Sequence, residues 1–311
     1  MKQLVRWLIS ILGYLLYTVG VVVVLLWLLF PTDSVLVWLQ GKLNTAYPSL
    51  SWNIDKLEAG FPLKLKLSDI RVNGKNDQGN QLFYIPEMHF SPDMEELLKM
   101  KKQIPVHYHM KTLDGTVAGE IVPGKGSMMQ CSGELQNIQI GKLDKIWKKT
   151  NRNGSGKIFG TFQYSGTWQN PLQGNLHANL KVSDGKISLQ QQIFGLDQVN
   201  FNSMTTILSI KDKIVTFEDG TVDSRFFKVS YKGTLKLTDT LYTSDITLHG
   251  FMEPRPELFG GLKNATAVSF IKNQLQNDKL SFTISGSLLE PGIIFKGASG
   301  IIDGIIDGGL R

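Results

Sequence analysis

The pattern of apolar positions along the chain changes period twice. Leu8–Phe30 reads LISILGYLLYTVGVVVVLLWLLF, a run of 23 residues, and no charge falls between Arg6 and Asp33. At about 1.5 Å per residue, a helix of that length crosses a hydrocarbon core of about 30 Å. The next stretch has a helical period, with Leu36, Leu39, Leu43 and Ala46 at three- and four-residue intervals. This spacing predicts an amphipathic helix over residues 34–46, with Asp33 as its cap and Pro48 beyond its end. Such a helix lies near a membrane, plugs the near end of the following domain, or belongs to a core, and periodicity alone serves all three.

From Leu50 the period becomes two. Phe61, Leu63, Leu65 and Leu67 alternate with Pro62, Lys64 and Lys66, which predicts a strand with one apolar and one wet face. Ile70 and Val72 fall on the other parity, so a bulge is expected near Ser68 and Asp69. Alternation returns at Leu176, Ala178, Leu180 and Val182, at Phe227, Val229 and Tyr231, and at Leu280, Phe282 and Ile284. The pairs Asn73-Gly74, Asp114-Gly115, Asn153-Gly154, Asp184-Gly185 and Asp219-Gly220 read as tight hairpin turns between such strands. The sum is an antiparallel meander of about a dozen or more strands. Helices interrupt it near 91–101, 141–149 and 254–276, the first with Ser91 capping and Pro92 at its first position. Two phrases nearly repeat, SGTWQNP at Ser165–Pro171 and SGSLLEP at Ser285–Pro291, with an echo, KGTLKL, at Lys232–Leu237. Glycine permits a bend and proline sits where no ladder donor is needed, so the phrase marks one structural corner used again.

Composition narrows the class. The chain has 311 residues, 42% hydrophobic and 19% charged, the profile of a folded protein. Its net charge of +6 is spread thinly, with no basic block longer than Lys99–Lys102, so no nucleic-acid partner is expected. The single cysteine, Cys131, reads as a small core or strand residue. A chain this long needs no disulfide, which leaves an oxidising compartment open. The apolar run is too long for a cleaved signal peptide, and Pro31-Thr32-Asp33-Ser34 offers no small-residue cleavage site. Lys2 and Arg6 precede it, which places the N-terminus in the cytoplasm and everything from Pro31 across the membrane. The expected organisation is a cytoplasmic stub and signal anchor (1–31), a juxtamembrane helix (32–49), a β domain (50–297) and a Gly/Ile-rich tail (298–311).

Chemistry is sparse. No nucleophile elbow, phosphate-binding loop, zinc-protease helix or Cys-x-x-Cys pair occurs. His107 and His109 share one strand face, without a third ligand nearby in sequence. No catalytic, cofactor or metal residue is assigned, and the chain is expected to be non-enzymatic. In the tail, Ile301, Ile302, Ile305 and Ile306 make an apolar stripe if helical, with Gly300, Gly304 and Gly308 opposing that helix.

The motifs together suggest a family. After the anchor come LEAGFPLKLKLSDIRV (Leu57–Val72), GKIFGTFQYSGTW (Gly156–Trp168), GNLHANLKVSDGKISL (Gly174–Leu189), VTFEDGTVDSRFFKVSYKGTLKL (Val215–Leu237) and SGSLLEPGIIF (Ser285–Phe295). This grammar resembles the AsmA/TamB-like group of inner-membrane-anchored periplasmic β-proteins, and within it the type II secretion system protein N family. The chain lacks the great length of the TamB-like members. The resemblance implies a mainly β fold, an elongated, twisted antiparallel groove with a few short helices, behind one transmembrane helix in a bacterial inner membrane. The groove-lining candidates are Phe61, Leu63, Leu65, Leu67, Leu176, Leu180, Val182, Phe227, Val229, Tyr231, Leu280, Phe282 and Ile284. It implies partners among the inner membrane, secretion-system components and phospholipid, and two functions: a scaffold in type II protein secretion, or transfer of phospholipid with acyl chains in the groove. A periplasmic enzyme is the distant third. The same alternation also fits a closed core, and patterning does not separate groove from core.

Overall fold

The computed structural model describes residues 7, 11–15, 17–18, 20–22, 24–25, 29–48, 50–74, 81–143, 147, 152–167, 169, 173–193, 196–238, 243–261 and 265–296. The chain is mainly β. Its strands are β1 (Leu50–Gly60), β2 (Lys64–Gly74), β3 (Gln81–Pro92), β4 (Val106–Thr112), β5 (Gly115–Pro123), β6 (Met128–Gln139), β7 (Gly154–Thr167), β8 (Asn175–Ile193), β9 (Leu196–Lys211), β10 (Ile214–Asp223), β11 (Phe227–Lys236), β12 (Asp245–Pro254), β13 (Leu280–Ser287) and β14 (Pro291–Phe295). The sheet order is the sequence order, β1 to β14, so the predicted meander is what forms. Two compact units divide it: Met1–Met100 with Val106–Met110, and Lys101–Pro105 with Lys111–Arg311.

In the first unit the helix α1 (Thr32–Ala46) packs on β1. Val35, Leu36, Leu39 and Leu43 cover a core of Ile54, Leu57, Leu67, Ile70 and Val72, each side chain contributing about 1.5–3 kcal/mol by leaving water. The helix also finishes the edge of β1. Gln40 Nε2 donates to Ile54 O at 2.7 Å, and Trp52 N donates to Asn44 Oδ1 at 2.8 Å. An edge strand with unpaired backbone groups invites another chain, and these two amides occupy that edge. The expected cap is not made by Asp33. The helix starts earlier, after Pro31, which makes no side-chain cap, and Asp33 falls in the first turn, where its charge opposes the positive end of the helix dipole.

No bulge forms at Ser68-Asp69: both ladders of β2 keep their register there, and the parity switch is made by Asp69 at φ +54°. Leu67 and Ile70 are both buried across it although their parities differ. The register does not slip, because β1 switches parity at the facing point: Ile54 pairs with Ile70 and Leu57 with Leu67, all four buried. The strand expected from Phe61 begins only at Lys64. Phe61, Pro62 and Leu63 form the hairpin turn, with Leu63 at φ +53°, and Phe61 and Leu63 are exposed. The proline has no N–H for the ladder, which is why the chain turns there. The helix expected over 91–101 shrinks to α2 (Met94–Leu98). Its cap is Asp93, whose Oδ1 accepts from the N–H of Glu95 (3.0 Å) and Glu96 (3.1 Å), while Ser91 and Pro92 still belong to β3.

In the second unit, three two-residue turns use residues with φ > 0 at both positions: Leu113-Asp114, Asp212-Lys213 and Asn277-Asp278. The first two join strands whose twist they match, and the third is closed by the bridge between Gln276 and Lys279 ahead of β13. Two of the expected Asp-Gly turns are not turns. Asp184-Gly185 lies inside β8, with Asp184 at φ +51°, and Asp219-Gly220 lies inside β10 beside a slip in both of that strand's ladders. The reason is steric. A Cβ on Gly185 would stand 1.9 Å from the Phe201 ring, and one on Gly220 2.3 Å from the Tyr231 ring. Each glycine leaves room for an aromatic side chain of the next strand. The repeated phrase keeps one meaning at two sites: Ser165-Gly166 and Ser285-Gly286 come at the ends of β7 and β13, whereas Lys232-Gly233 is interior to β11. Pro171 lies outside the described residues.

Of the helix expected over 141–149, a 3₁₀ turn Ile140–Lys142 and Trp147 are described, the indole Nε1 donating to Ile140 O at 2.8 Å. The expected region 254–276 holds α3 (Pro256–Gly261) and α4 (Ala265–Gln274). The anchor Leu8–Phe30 lies partly outside the described residues, as residues 8–10, 16, 19, 23 and 26–28 do, and the tail 298–311 lies wholly outside them. Residues described between 11 and 25 are helical. Among the described residues no helix is long and apolar enough to cross a membrane.

Candidate functional site: an apolar face of the second unit

Because antiparallel partners put their side chains on the same face, the ladder register shows which residues share a face of the sheet. Starting from Val117 on β5, the paired positions are Leu135, Gly160, Leu180, Thr206, Gly220, Tyr231, Gly250, Phe282 and Phe295. The adjoining row runs Gly119, Gly133, Phe162, Ala178, Leu208, Phe217, Gly233, Leu248, Ile284 and Ile293. A third carries Ile121, Cys131, Tyr164, Leu176, Ile210, Val215, Leu235 and Ile246. One face is therefore apolar along two rows over the ten strands β5–β14 and along a third over β5–β12, with Thr206 the polar exception in the first. At about 4.8 Å per strand, the first two rows are on the order of 43 Å long and the third on the order of 34 Å.

The opposite face is wet. It carries Gln163 and Thr161 on β7, His177, Asn179 and Lys181 on β8, and Lys228, Ser230 and Lys232 on β11, most of them exposed. Thr205 and Thr221 hydroxyls meet at 2.7 Å there, and His249 Nδ1 lies 3.1 Å from Thr283 Oγ1.

The apolar face has two zones. From β11 to β14 it is closed. Phe227, Tyr231, Leu248, Met252, Leu280, Phe282 and Phe295 are buried together, and Ile193, Leu196 and Val199 from the β8–β9 end pack onto them. Arg255 ties down the corner after β12, donating to Asp223 Oδ1 and to Ser224 O at 2.6 Å each. From β6 to β9 the apolar side chains Leu135, Ile158, Phe162, Tyr164, Leu176, Leu180, Val182, Leu208 and Ile210 are only half-buried, although their strands are interior to the sheet.

The sequence-derived candidates divide accordingly. Leu176, Leu180 and Val182 lie on the half-open zone. Phe227, Tyr231, Leu280 and Phe282 are core residues of the closed zone, with Val229 and Ile284 packed against them. Leu67 is core of the first unit and Leu65 packs beside it. Phe61 and Leu63 line nothing, standing at a hairpin tip with 66% and 62% of their surface exposed. Sequence reasoning missed Ile158, Phe162 and Tyr164 on β7 and Leu208 and Ile210 on β9. The alternation Ile158, Gly160, Phe162, Tyr164 was its signal, obscured by Phe159 on the outer face.

Two polar groups interrupt the apolar face. Burial pushes the Tyr231 phenol above its ordinary range, partly offset by the nearby Thr206 hydroxyl. The two oxygens approach each other, yet neither completes a hydrogen bond of normal geometry. His107 Nε2 stands 3.5 Å from Asp93 Oδ2, and the His109 ring 6.4 Å from that of His89. Among the described residues no group of three His, Cys, Asp or Glu side chains could hold a metal ion.

No family model, curated protein or solved structure matches the chain.

Proposed function

We propose that the chain is a non-enzymatic, membrane-anchored periplasmic protein whose apolar β face shields lipid acyl chains from water. One observation carries this reading: the half-buried apolar zone of β6–β9, lying between a polar opposite face and a closed core at β11–β14. An ordinary sheet covers its apolar face with its own elements, as β11–β14 are covered. A face left half-open over several strands invites an apolar occupant. About ten methylenes laid on it gain roughly 8 kcal/mol, before the cost of ordering the chain.

Anchoring is supported by the N-terminal run. Tyr14, Leu15 and Tyr17 are 75%, 60% and 72% exposed, so these apolar side chains have no protein cover, and a bilayer is the partner that suits them. A scaffold role in type II secretion is the other function the family resemblance implies. It rests on that resemblance, while the half-open face favours the lipid reading.

The test is mass spectrometry of lipids retained by gently purified full-length protein, with a photoactivatable acyl chain added to map contact. Retained phospholipid crosslinked to β7–β9 supports the reading. Lipid-free protein, with no crosslink to those strands, refutes it.

A further inference from the structure

The end of the first unit where β1 turns into β2 concentrates exposed apolar side chains. Phe61 and Leu63 stand there 66% and 62% exposed. β3 finishes beside them, since Leu65 pairs with Phe90 and the strand stops at Pro92. It leads directly into α2, after whose first turn Leu98 and Met100 are 79% and 89% exposed.

The N-terminal run arrives at this same end. α1 runs antiparallel to β1, with Asn44 bonded to Trp52 and Gln40 to Ile54. From Gln40 back to Thr32 the helix advances about 12 Å, the length of about four strand residues, so its start lies level with the last residues of β1 before the tip. Phe30 packs at the margin of the same core, and Leu29 before it is 75% exposed.

Charge at this end is close to balanced. Lys56 pairs with Glu58, Lys66 with Glu87 and Lys99 with Glu95, while Asp93 is engaged in capping α2. Attraction to anionic headgroups is thus a small term, and the apolar side chains are the large one.

We propose that Phe61, Leu63, Leu98 and Met100 form a second membrane contact, seated at the boundary of headgroups and acyl chains beside the N-terminal run. Large apolar side chains on turns, next to a segment already in the bilayer, gain by entering that boundary. The contact holds the first unit against the membrane by insertion and is insensitive to salt. It rests on the anchoring of the N-terminal run and not on acyl-chain carriage by the second unit.

The experiment uses the full chain with Cys131→Ser and single cysteines from Leu63→Cys, Leu98→Cys, Tyr17→Cys or Thr161→Cys. Each is labelled with an environment-sensitive fluorophore and reconstituted into phosphatidylcholine vesicles holding lipids spin-labelled high on the acyl chain. The expected result is loss of emission at positions 63, 98 and 17 and not at 161, unchanged in high salt. If position 17 is quenched while 63 and 98 emit like 161, the second contact is overturned and the anchor stands. If all four positions report water, both fall. Quenching at 63 and 98 that vanishes in high salt overturns insertion as its cause.

Discussion

Replacing Leu180 or Leu280 by aspartate separates an open face from a closed core. Leu280 is 0% exposed, in the cluster formed with Phe282 and Phe295. Leu280→Asp loses about 2–5 kcal/mol of packing and buries a carboxylate with no cation, a further penalty of several kcal/mol. Against a total stability of about 5–15 kcal/mol, the second unit should not fold. Leu180 is half-buried on the same row system, so its carboxylate can keep a hydration shell. Leu180→Asp loses only part of the leucine transfer energy, about 1 kcal/mol. The assay is thermal unfolding by circular dichroism of both purified variants, followed by lipid mass spectrometry on whichever folds. Leu180→Asp should melt cooperatively near the parent and retain less lipid, while Leu280→Asp should give no native transition. If Leu180→Asp unfolds like Leu280→Asp, the face over β6–β9 is closed in solution and the acyl-chain reading loses its basis.

Other expectations follow from single contacts. Gln40→Ala with Asn44→Ala should cost about 1 kcal/mol per lost hydrogen bond and expose the edge of β1, so denaturant titration should show destabilisation and light scattering should show self-association. Gly220→Ala should destabilise by about 1–3 kcal/mol in the same titration, because its methyl meets the Tyr231 ring, and pairing it with Tyr231→Leu should recover part of the loss. The Tyr231 phenol is raised by burial, so its contribution is full below the unfolded value of about 10 and is lost as pH rises toward and through the folded value. Tyr231→Phe should therefore be neutral or stabilising at pH 7 and flatten the alkaline fall in stability followed by circular dichroism, since that hydroxyl completes no hydrogen bond.

Several elements are legible in the sequence. Alternation at Leu176–Val182 and Phe227–Tyr231 identified β8 and β11 with their inward faces, and the three-four spacing from Leu36 identified α1. The parity switch at Asp69 was legible too, but a single residue at φ +54° makes it with the register kept, not an inserted residue. Misreadings came where local chemistry has two uses. Asp-Gly favours a tight turn, but it equally supplies a strand position that an aromatic ring can overlie, and Phe201 and Tyr231 select the second use at Gly185 and Gly220. Phe61-Pro62-Leu63 continues an alternating pattern on paper, yet proline at that point ends the ladder.

By itself the sequence determined that this is a β meander with one apolar side, because a side-chain period of two is a property of each strand alone. Only the tertiary structure decided which stretch of that side is sealed. Part of the cover over β11–β14 comes from Ile193, Leu196 and Val199, about 30 residues before the first strand they shield. The seal on β1 comes from two amides on a helix that precedes it. A strand's own residues specify which face is apolar, and what lies against that face depends on contacts between segments distant in the chain.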